Sequence, residues 1–372
     1  MRRKTILLTG ATGAVGRDVL RRFAARRDLR INALVRASAE SPEDRVKTLL
    51  GAMDVLADLR AIRGDILAGS TLGVPADDLS RIRRDTTHVI HAAGSTSFTL
   101  PLGDARSANV AGAQNVLAFV RGCASLECAA FLSTVYVSGK RRGVFAESDS
   151  GDAGYGFVNT YEQSKAEMER VVAAAMADLP LMLIRLSTVL GDSVTGEVAG
   201  FNAVHHAIRL LYNGLAPMIP GGAGDPVDVV SSDFASAATV HLTEHAEAGN
   251  VYHVAAGAAS DTLADVLGET VRALSEFRPL WRKRAVERPL IVPLDTYELF
   301  VRSVDDTGSE VLRGATRSIR SFAYQLASPK TFGTARAADA LSQAGIQPTR
   351  SLDFLPRIVK YCLDTNWGAA RC

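Results

Sequence analysis

The chain has 372 residues, of which 47% are hydrophobic, and a formal net charge of +2. This length and apolar content favour two folded lobes over a single small domain or a disordered chain. The near-neutral charge argues against a nucleic-acid partner, and no apolar run is long enough for stable membrane insertion. The four cysteines lack metal-ligand spacing, and no signal peptide is evident. We therefore expect a cytoplasmic protein with no metal site.

The N-terminal stretch predicts a strand, a glycine-rich turn and a helix. A short apolar run over residues 5–9 leads into glycines at positions 10, 13 and 16, and then into apolar residues at helical spacing. Such a turn lets a diphosphate approach the backbone and the N–H groups that open the helix. Its GxxGxxG spacing differs from the common GxGxxG, but a second strand over 31–35 completes a βαβ unit. The residues expected around a dinucleotide phosphate are Gly10, Thr12, Gly13, Ala14, Val15 and Gly16.

Strands and helices alternate along most of the chain. After the second strand we expect helices over 43–59, 106–122 and 233–243, and strands over 61–66, 87–94, 129–132, 181–184, 227–230 and 250–254. This alternation predicts a Rossmann-type doubly wound parallel sheet of the α/β class. This alternation of strands and helices is interrupted near residue 193, where we expect a helix over 196–212. Helices dominate after residue 261. We assign 1–191 and 226–260 to the dinucleotide-binding domain, and 192–225 and 261–372 to a smaller, mostly helical substrate-binding lobe.

Two strand ends carry residues suited to a cofactor. Arg36 ends the second strand, where a guanidinium would bind the 2′-phosphate of NADPH and a carboxylate would select NADH. The fourth strand runs into Ala92, Ala93 and Gly94, whose small side chains leave room for a flat ligand. We therefore expect NADPH as the cofactor.

Three further residues suit hydride transfer to a carbonyl. Tyr161 and Lys165 lie four apart and share one face of a predicted helix, and Thr134 follows the fifth strand. As hydride arrives, the carbonyl oxygen needs a positioned acid, which Tyr161 could supply. A nearby Lys165 ammonium would lower the pKa of that phenol, and the Thr134 hydroxyl would add a hydrogen bond to the developing charge.

These motifs occur in the order found in extended short-chain dehydrogenases/reductases, which the sequence resembles over nearly the whole predicted Rossmann lobe. The resemblance implies that Thr134, Tyr161 and Lys165 are catalytic and that Lys165 also binds the nicotinamide ribose. It also implies that Asp65 and Ile66 flank the adenine. The other cofactor contacts implied are Asn109, Leu186, Thr188 and Val189. The family usually has proline where this chain has Leu186.

Within that family the chain is most similar to the thioester reductase and fatty acyl-CoA reductase (male-sterility type) branch. The stretches that carry this similarity are 91–98, 131–139, 159–165 and 191–196. The branch reduces an acyl thioester, held on coenzyme A or an acyl carrier protein, to an aldehyde or alcohol with NADPH. It implies Ser95, Phe98, Thr134 and Tyr161 as substrate residues.

Two other functions remain open from the sequence. One is another extended-family enzyme, either a dehydrogenase of the hydroxysteroid or dihydroflavonol type or a nucleotide-sugar epimerase. The other is a non-catalytic cofactor sensor, which the intact catalytic trio disfavours. An apolar segment over 201–219 favours an acyl substrate, and we expect it to line the site. The basic cluster Arg282, Lys283 and Arg284 beside Trp281 is either a solvated face or a docking patch for coenzyme A phosphates or an acidic carrier.

Overall fold

A parallel sheet organises the computed structural model, which describes residues 3–151, 154–281, 288–306 and 309–371. The strands in chain order are β1 (Lys4–Thr9), β2 (Leu29–Val35), β3 (Asp58–Arg63), β4 (His88–His91), β5 (Cys128–Thr134), β6 (Gly143–Phe145), β7 (Leu181–Leu186), β8 (Thr188–Val189), β9 (Met218–Pro220), β10 (Pro226–Val227), β11 (Val229–Val230), β12 (Val251–Val254), β13 (Asp261–Thr262), β14 (Leu290–Val292) and β15 (Lys330–Phe332). The main sheet has seven strands in the order β12-β7-β5-β4-β1-β2-β3, and every pairing in it is parallel. The expected Rossmann-type sheet is confirmed.

Helices cover both faces of this sheet and build the C-terminal lobe. They are α1 (Ala14–Ala24), α2 (Pro42–Leu50), α3 (Ala76–Asp85), α4 (Leu102–Arg106), α5 (Gly112–Val120), α6 (Thr160–Ala175), α7 (Ala203–Tyr212), α8 (Ser232–His245), α9 (Leu263–Phe277), α10 (Leu294–Asp306), α11 (Glu310–Leu326), α12 (Ala335–Ser342) and α13 (Ser351–Asp364). A π-helical turn, Ser107–Ala111, joins α4 to α5, and 3₁₀ turns occur at Gly69–Thr71, Val135–Ser138, Gly257–Ala259 and Asn366–Arg371.

The core of the sheet has two layers, because successive side chains of a strand point to opposite faces. Ile6 and Leu8 of β1 face a cluster that includes α1 and α8. Leu7 faces a second cluster, which includes residues of α5 and α6. Burial on both faces explains why β1 is a continuous apolar run. The C-terminal lobe has its own core, formed mainly from α7, α9 and α13.

Two predicted helices are shorter in the structure. The helix expected over 43–59 ends at Leu50, because Gly51 adopts a left-handed φ of 58° that stops it. The helix expected over 196–212 begins only at Ala203, where the Asn202 side chain caps the first turn. Gly196 lies in the preceding loop with a φ of 74°, packed against the backbone of Arg357.

One part of the C-terminal segment returns to the dinucleotide-binding half. Strand β15 pairs in parallel with β6, and Ala337 and Leu341 of α12 pack in the same cluster as α1 and α8. Residues 330–342 therefore pack against the sheet domain, although the sequence pattern assigned them to the lobe.

Candidate active site

The glycine turn after β1 forms a close-packed cradle at the start of α1. Gly10 has a φ of 74°, and a Cβ there would lie 2.5 Å from the backbone of Ala92 and Ala93. A Cβ on Gly16 would overlap the Gly10 carbonyl oxygen. Helix α1 has no side-chain cap and no acidic residue in its first turn, so its leading N–H groups remain available to an anion. These features fit a dinucleotide diphosphate.

A cleft of about 430 Å³ opens from this turn along the carboxyl ends of β1 to β4. The predicted residues that line it are Gly10, Thr12, Gly13, Arg36, Asp65, Ile66, Ala92, Ala93, Gly94 and Ser95. Ala14, Val15 and Gly16 form the first residues of α1. The sequence reasoning missed these further lining residues: Thr9, Leu34, Arg45, Gly64, Leu67 and Ala108. The strand order reverses between β1 and β4, which is where open α/β sheets bind ligands.

Arg45 places a second guanidinium beside Arg36. Its Nη1 donates to the Arg36 carbonyl oxygen at 2.8 Å, and both side chains line the cleft. Arg45 lies on α2, the helix that follows β2. The sequence signal for Arg45 is a basic residue in the helix that follows a strand ending in arginine.

Asn109 lies in the π-helical turn and holds the loop after β4. Its Oδ1 accepts the Ser95 N–H at 2.8 Å, and its Nδ2 donates to the Ser95 carbonyl and to Ser164 Oγ. Both amide protons are therefore used within the protein. The side chain is 2% exposed, so Asn109 fixes the position of cleft residues and of α6 rather than facing open volume.

The three predicted catalytic residues come together at the ends of β5 and α6. The Thr134 hydroxyl hydrogen-bonds with the Tyr161 hydroxyl and accepts the Tyr136 N–H at 3.2 Å. Lys165 is 8% exposed, and its Nζ donates to the Leu132 carbonyl at 2.9 Å. The first turn of α6 orients Tyr161, because Asn159 caps the N–H of Glu162 and Glu162 accepts the N–H of residue 158.

The expected lowering of the Tyr161 pKa is wrong for the protein by itself. Burial raises the pKa of Tyr161 to about 12, and the hydrogen bond with Thr134 only partly opposes this rise. The ammonium of Lys165 is directed to a backbone carbonyl instead. Tyr161 therefore stays protonated, and so able to donate, across the whole physiological pH range.

Lys165 is a catalytic-site group that titrates near working pH. Burial lowers its pKa to about 8, while the Glu169 carboxylate one turn along α6 opposes the change. Glu169 is itself paired with the buried Arg185 of β7 at 2.8 Å, which was not anticipated from the sequence. This pair places a carboxylate near Lys165 without leaving it as an isolated buried charge.

The pH profile should follow this lysine. Since the ammonium form is lost as pH rises through about 8, we expect kcat/KM for reduction to fall above that pH, while Tyr161 remains protonated. Steady-state rates from pH 6 to 10, with cofactor dissociation constants over the same range, measure this. A constant kcat/KM up to pH 10 would contradict the assignment.

Phe98 stands beside the catalytic tyrosine. Its ring centroid lies 5.6 Å from that of Tyr161, and its expected substrate role stays a prediction. The end of β7 and the residues after it carry three of the expected cofactor contacts, Leu186, Thr188 and Val189, which stay predictions. Leu186 pairs with Thr134 in the sheet, and the Val189 carbonyl accepts the Asn202 side chain. Thr188 bonds to Tyr136 and lines a separate cavity.

The apolar segment over 201–219 does not form the wall of this site as expected. Phe201, Leu210, Leu211, Tyr212 and Ile219 pack in the core of the C-terminal lobe, which they share with apolar residues of α9 and α13. A large cavity of about 880 Å³ lies beside Tyr212, Met218 and Trp281.

Other sequence features include a buried histidine and a basic cluster. His205 is fully buried in the lobe and accepts the Asn202 N–H at 3.0 Å. No group of three or more potential metal ligands occurs within the described ranges. Nor does any helix in those ranges combine the length and apolarity needed to cross a bilayer. The basic cluster Arg282, Lys283 and Arg284 lies outside the described residues.

The parallel sheet, the glycine cradle and the threonine, tyrosine and lysine at the ends of β5 and α6 define an NAD(P)-dependent oxidoreductase of the short-chain dehydrogenase/reductase type. The sequence model of the male sterility protein family matches residues 8–239. The chain belongs to that family, which confirms the resemblance to the male-sterility-type branch.

Comparison with individual proteins extends this relationship. The chain is 28% identical over 260 residues to a linear gramicidin synthase of Brevibacillus parabrevis, covering 66% of this chain and 5% of that protein. It is 24% identical over 326 residues to "Fatty acyl-CoA reductase 2, chloroplastic" of Arabidopsis thaliana, covering 70% of this chain and 52% of that protein. The chain thus spans about half or less of the length of these relatives.

A solved structure with the same fold covers almost the entire chain. The terminal R domain from the myxalamid PKS-NRPS biosynthetic pathway superposes with a TM-score of 0.79 at 22% identity, covering 99% of this chain and 92% of the other. A thiolation-reductase di-domain from an archaeal non-ribosomal peptide synthetase gives a TM-score of 0.74 at 18% identity, covering 99% and 76%. At these identities the likeness establishes the shared fold, including the C-terminal lobe.

Proposed function

We propose that the protein is an NADPH-dependent reductase of an acyl thioester carried on coenzyme A or on a carrier protein. The observation that carries this proposal is the convergence of Thr134, Tyr161 and Lys165 beside a cleft built for a dinucleotide. The substrate class is supported by the family match and by relatives named as a fatty acyl-CoA reductase and as a linear gramicidin synthase.

The nicotinamide supplies the hydride when it is bound, and the chain's own residues handle the oxygen. The thioester carbonyl would lie between the Thr134 and Tyr161 hydroxyls, which hydrogen-bond with each other. As the carbonyl carbon gains hydride, its oxygen takes the phenolic proton of Tyr161. The Lys165 ammonium, held by the Leu132 carbonyl, would stabilise the phenolate that remains. The resulting hemithioacetal loses its thiol by cleavage of the carbon–sulfur bond and gives an aldehyde, which a second reduction would convert to an alcohol.

The selection of NADPH is supported by the two guanidinium groups at the end of β2. Arg36 and Arg45 line the adenosine end of the cleft, near Asp65 and Ile66. No carboxylate follows β2 at position 36, where NAD-selective enzymes of this fold place one.

The decisive experiment follows thiol release and NADPH oxidation together. Acyl-coenzyme A thioesters of several chain lengths, and the same acyl groups on an acyl carrier protein, are offered to the purified protein. We expect one thiol per NADPH oxidised in the first step, with the carrier form or the coenzyme A form clearly preferred. The Tyr161→Phe variant is the matched control for background hydrolysis, which releases thiol without consuming NADPH.

A different outcome would favour the alternative function. Rapid reduction of free ketones, with no thiol released from any thioester, would make the protein a dehydrogenase of the hydroxysteroid or dihydroflavonol type. Thiol release without NADPH oxidation in both wild type and variant would contradict the reductase proposal altogether.

A further inference from the structure

A second cavity lies directly beyond the catalytic strand end. In the sheet, Thr134 of β5 is paired with Leu186 of β7. Two residues further along each segment, the Tyr136 hydroxyl and Thr188 Oγ1 are hydrogen-bonded at 2.9 Å. Both line a cavity of about 30 Å³ between the sheet domain and α11. Because the Tyr136 N–H also donates to Thr134 Oγ1, this cavity adjoins the centre where the carbonyl would react.

The volume restricts what the cavity can hold. A cavity of about 30 Å³ is large enough to hold at least one water-sized group. Phe322, Leu326 and Phe332 also line it. The cavity can therefore take a small polar substituent.

Three of the other polar side chains around it are engaged by the protein. Asp228 accepts two backbone N–H groups at 3.0 and 2.8 Å. Lys330 donates to the Gly139 carbonyl, and Gln325 donates to Glu162 at 2.7 Å. These bonds fix the walls. Gln325 also ties α11 to the first turn of α6, so the cavity and Tyr161 are held by one network.

The hydroxyl pair retains a proton for a ligand. Two hydroxyl groups carry two protons, and the bond between them uses one. In the part of the chain that the structure describes, neither the Tyr136 hydroxyl nor the Thr188 hydroxyl has a second hydrogen-bond partner. A group that pairs with this proton must accept a hydrogen bond. An oxygen substituent can do so, whereas an ammonium group has no lone pair to accept one.

We propose that this cavity is a specificity subsite for an oxygen substituent, such as a hydroxyl, on the acyl chain of the thioester. The inference rests on the proposed function and narrows its substrate class to oxygenated acyl groups. Wild-type enzyme should discriminate in their favour, because an unsubstituted chain would leave the spare proton of the hydroxyl pair unpaired.

The test compares thioesters that differ by a single group. Butyryl-coenzyme A is compared with its 2-, 3- and 4-hydroxy and its 3-amino derivatives, and kcat/KM is measured for each. We expect about a tenfold or larger preference for one hydroxy isomer over butyryl-coenzyme A, in the range of one buried hydrogen bond. The double variant Tyr136→Phe/Thr188→Val removes both hydroxyl protons at nearly constant shape, and its preference should fall to about one.

The preference is a ratio of two kcat/KM values measured on the same protein, so a general loss of activity in a variant does not change it. The single variants show which hydroxyl donates. The control variant Tyr324→Phe/Thr296→Val, on α11 and α10, removes the same groups outside the cavity and should keep the wild-type preference.

No hydroxy preference in wild type, an equal preference in the double variant, or a preference for the amino derivative would each overturn the subsite. If no thioester at all is reduced, the proposed function fails and the subsite fails with it. Reduction of all of them without discrimination removes the subsite alone.

Discussion

Replacing Tyr161 with phenylalanine should reduce turnover by about a hundred- to ten-thousandfold, which is the usual contribution of a general acid. The substitution removes only the hydroxyl that donates the proton and hydrogen-bonds with Thr134. The ring keeps its contact with Phe98, so cofactor affinity should change little. Single-turnover rates and NADPH dissociation constants, measured on the same preparations, separate the two effects.

Two companion variants make this result specific. Lys165→Met should lower both turnover and cofactor affinity, because the resemblance gives this ammonium a role in each. Tyr324→Phe, which removes a hydroxyl bonded to Glu298 of α10, should behave like wild type. A Tyr161→Phe enzyme with near-normal turnover would mean that another group supplies the proton.

Arg36→Ala and Arg45→Ala should each weaken NADPH binding by roughly ten- to a hundredfold and leave NADH binding almost unchanged. A charge-assisted hydrogen bond to a phosphate contributes about 1.5–3 kcal/mol to binding. NADH lacks the 2′-phosphate that would accept this bond, so its affinity should not depend on either arginine. The two effects should not add fully, because both guanidinium groups would bind the same 2′-phosphate. Dissociation constants for both cofactors on both single variants and the double variant test this.

The control is Arg302→Ala, which removes an exposed arginine of α10 that pairs only weakly with Glu298 at 3.8 Å. It should leave both dissociation constants unchanged. Equal losses of NADH and NADPH affinity in Arg36→Ala would show that Arg36 stabilises the cleft for both cofactors and does not bind the 2′-phosphate specifically.

Local patterns in the sequence determined the parts of this protein whose residues lie close together in the chain. The glycine turn was predictable because a strand, three spaced glycines and a helix dictate one backbone path. Tyr161 and Lys165 were predictable as partners because a spacing of four residues puts them on one helical face. The sheet class followed from the alternation of strands and helices, which permits few topologies.

Only the tertiary structure could decide what depends on residues far apart in the chain. The apolar residues from Phe201 to Ile219 fit either a lobe core or a substrate wall, and the packing of α7 against α9 and α13 places them in the core. The protonation of the catalytic tyrosine also depends on the tertiary structure. Lys165 was expected to lower the pKa of Tyr161, but burial raises that pKa, and the hydrogen bond with Thr134 opposes the rise only in part.

The cavity beyond Thr134 also depends on residues that are far apart in the chain. It needs Tyr136 from the turn after β5, Thr188 from β8, and Gln325 and Lys330 from the C-terminal segment, and no spacing in the sequence relates them. The sequence by itself determined the chemistry that the protein carries, because that chemistry lies in short motifs. Packing between distant segments decided the protonation of its acid and the shape of the space around its substrate.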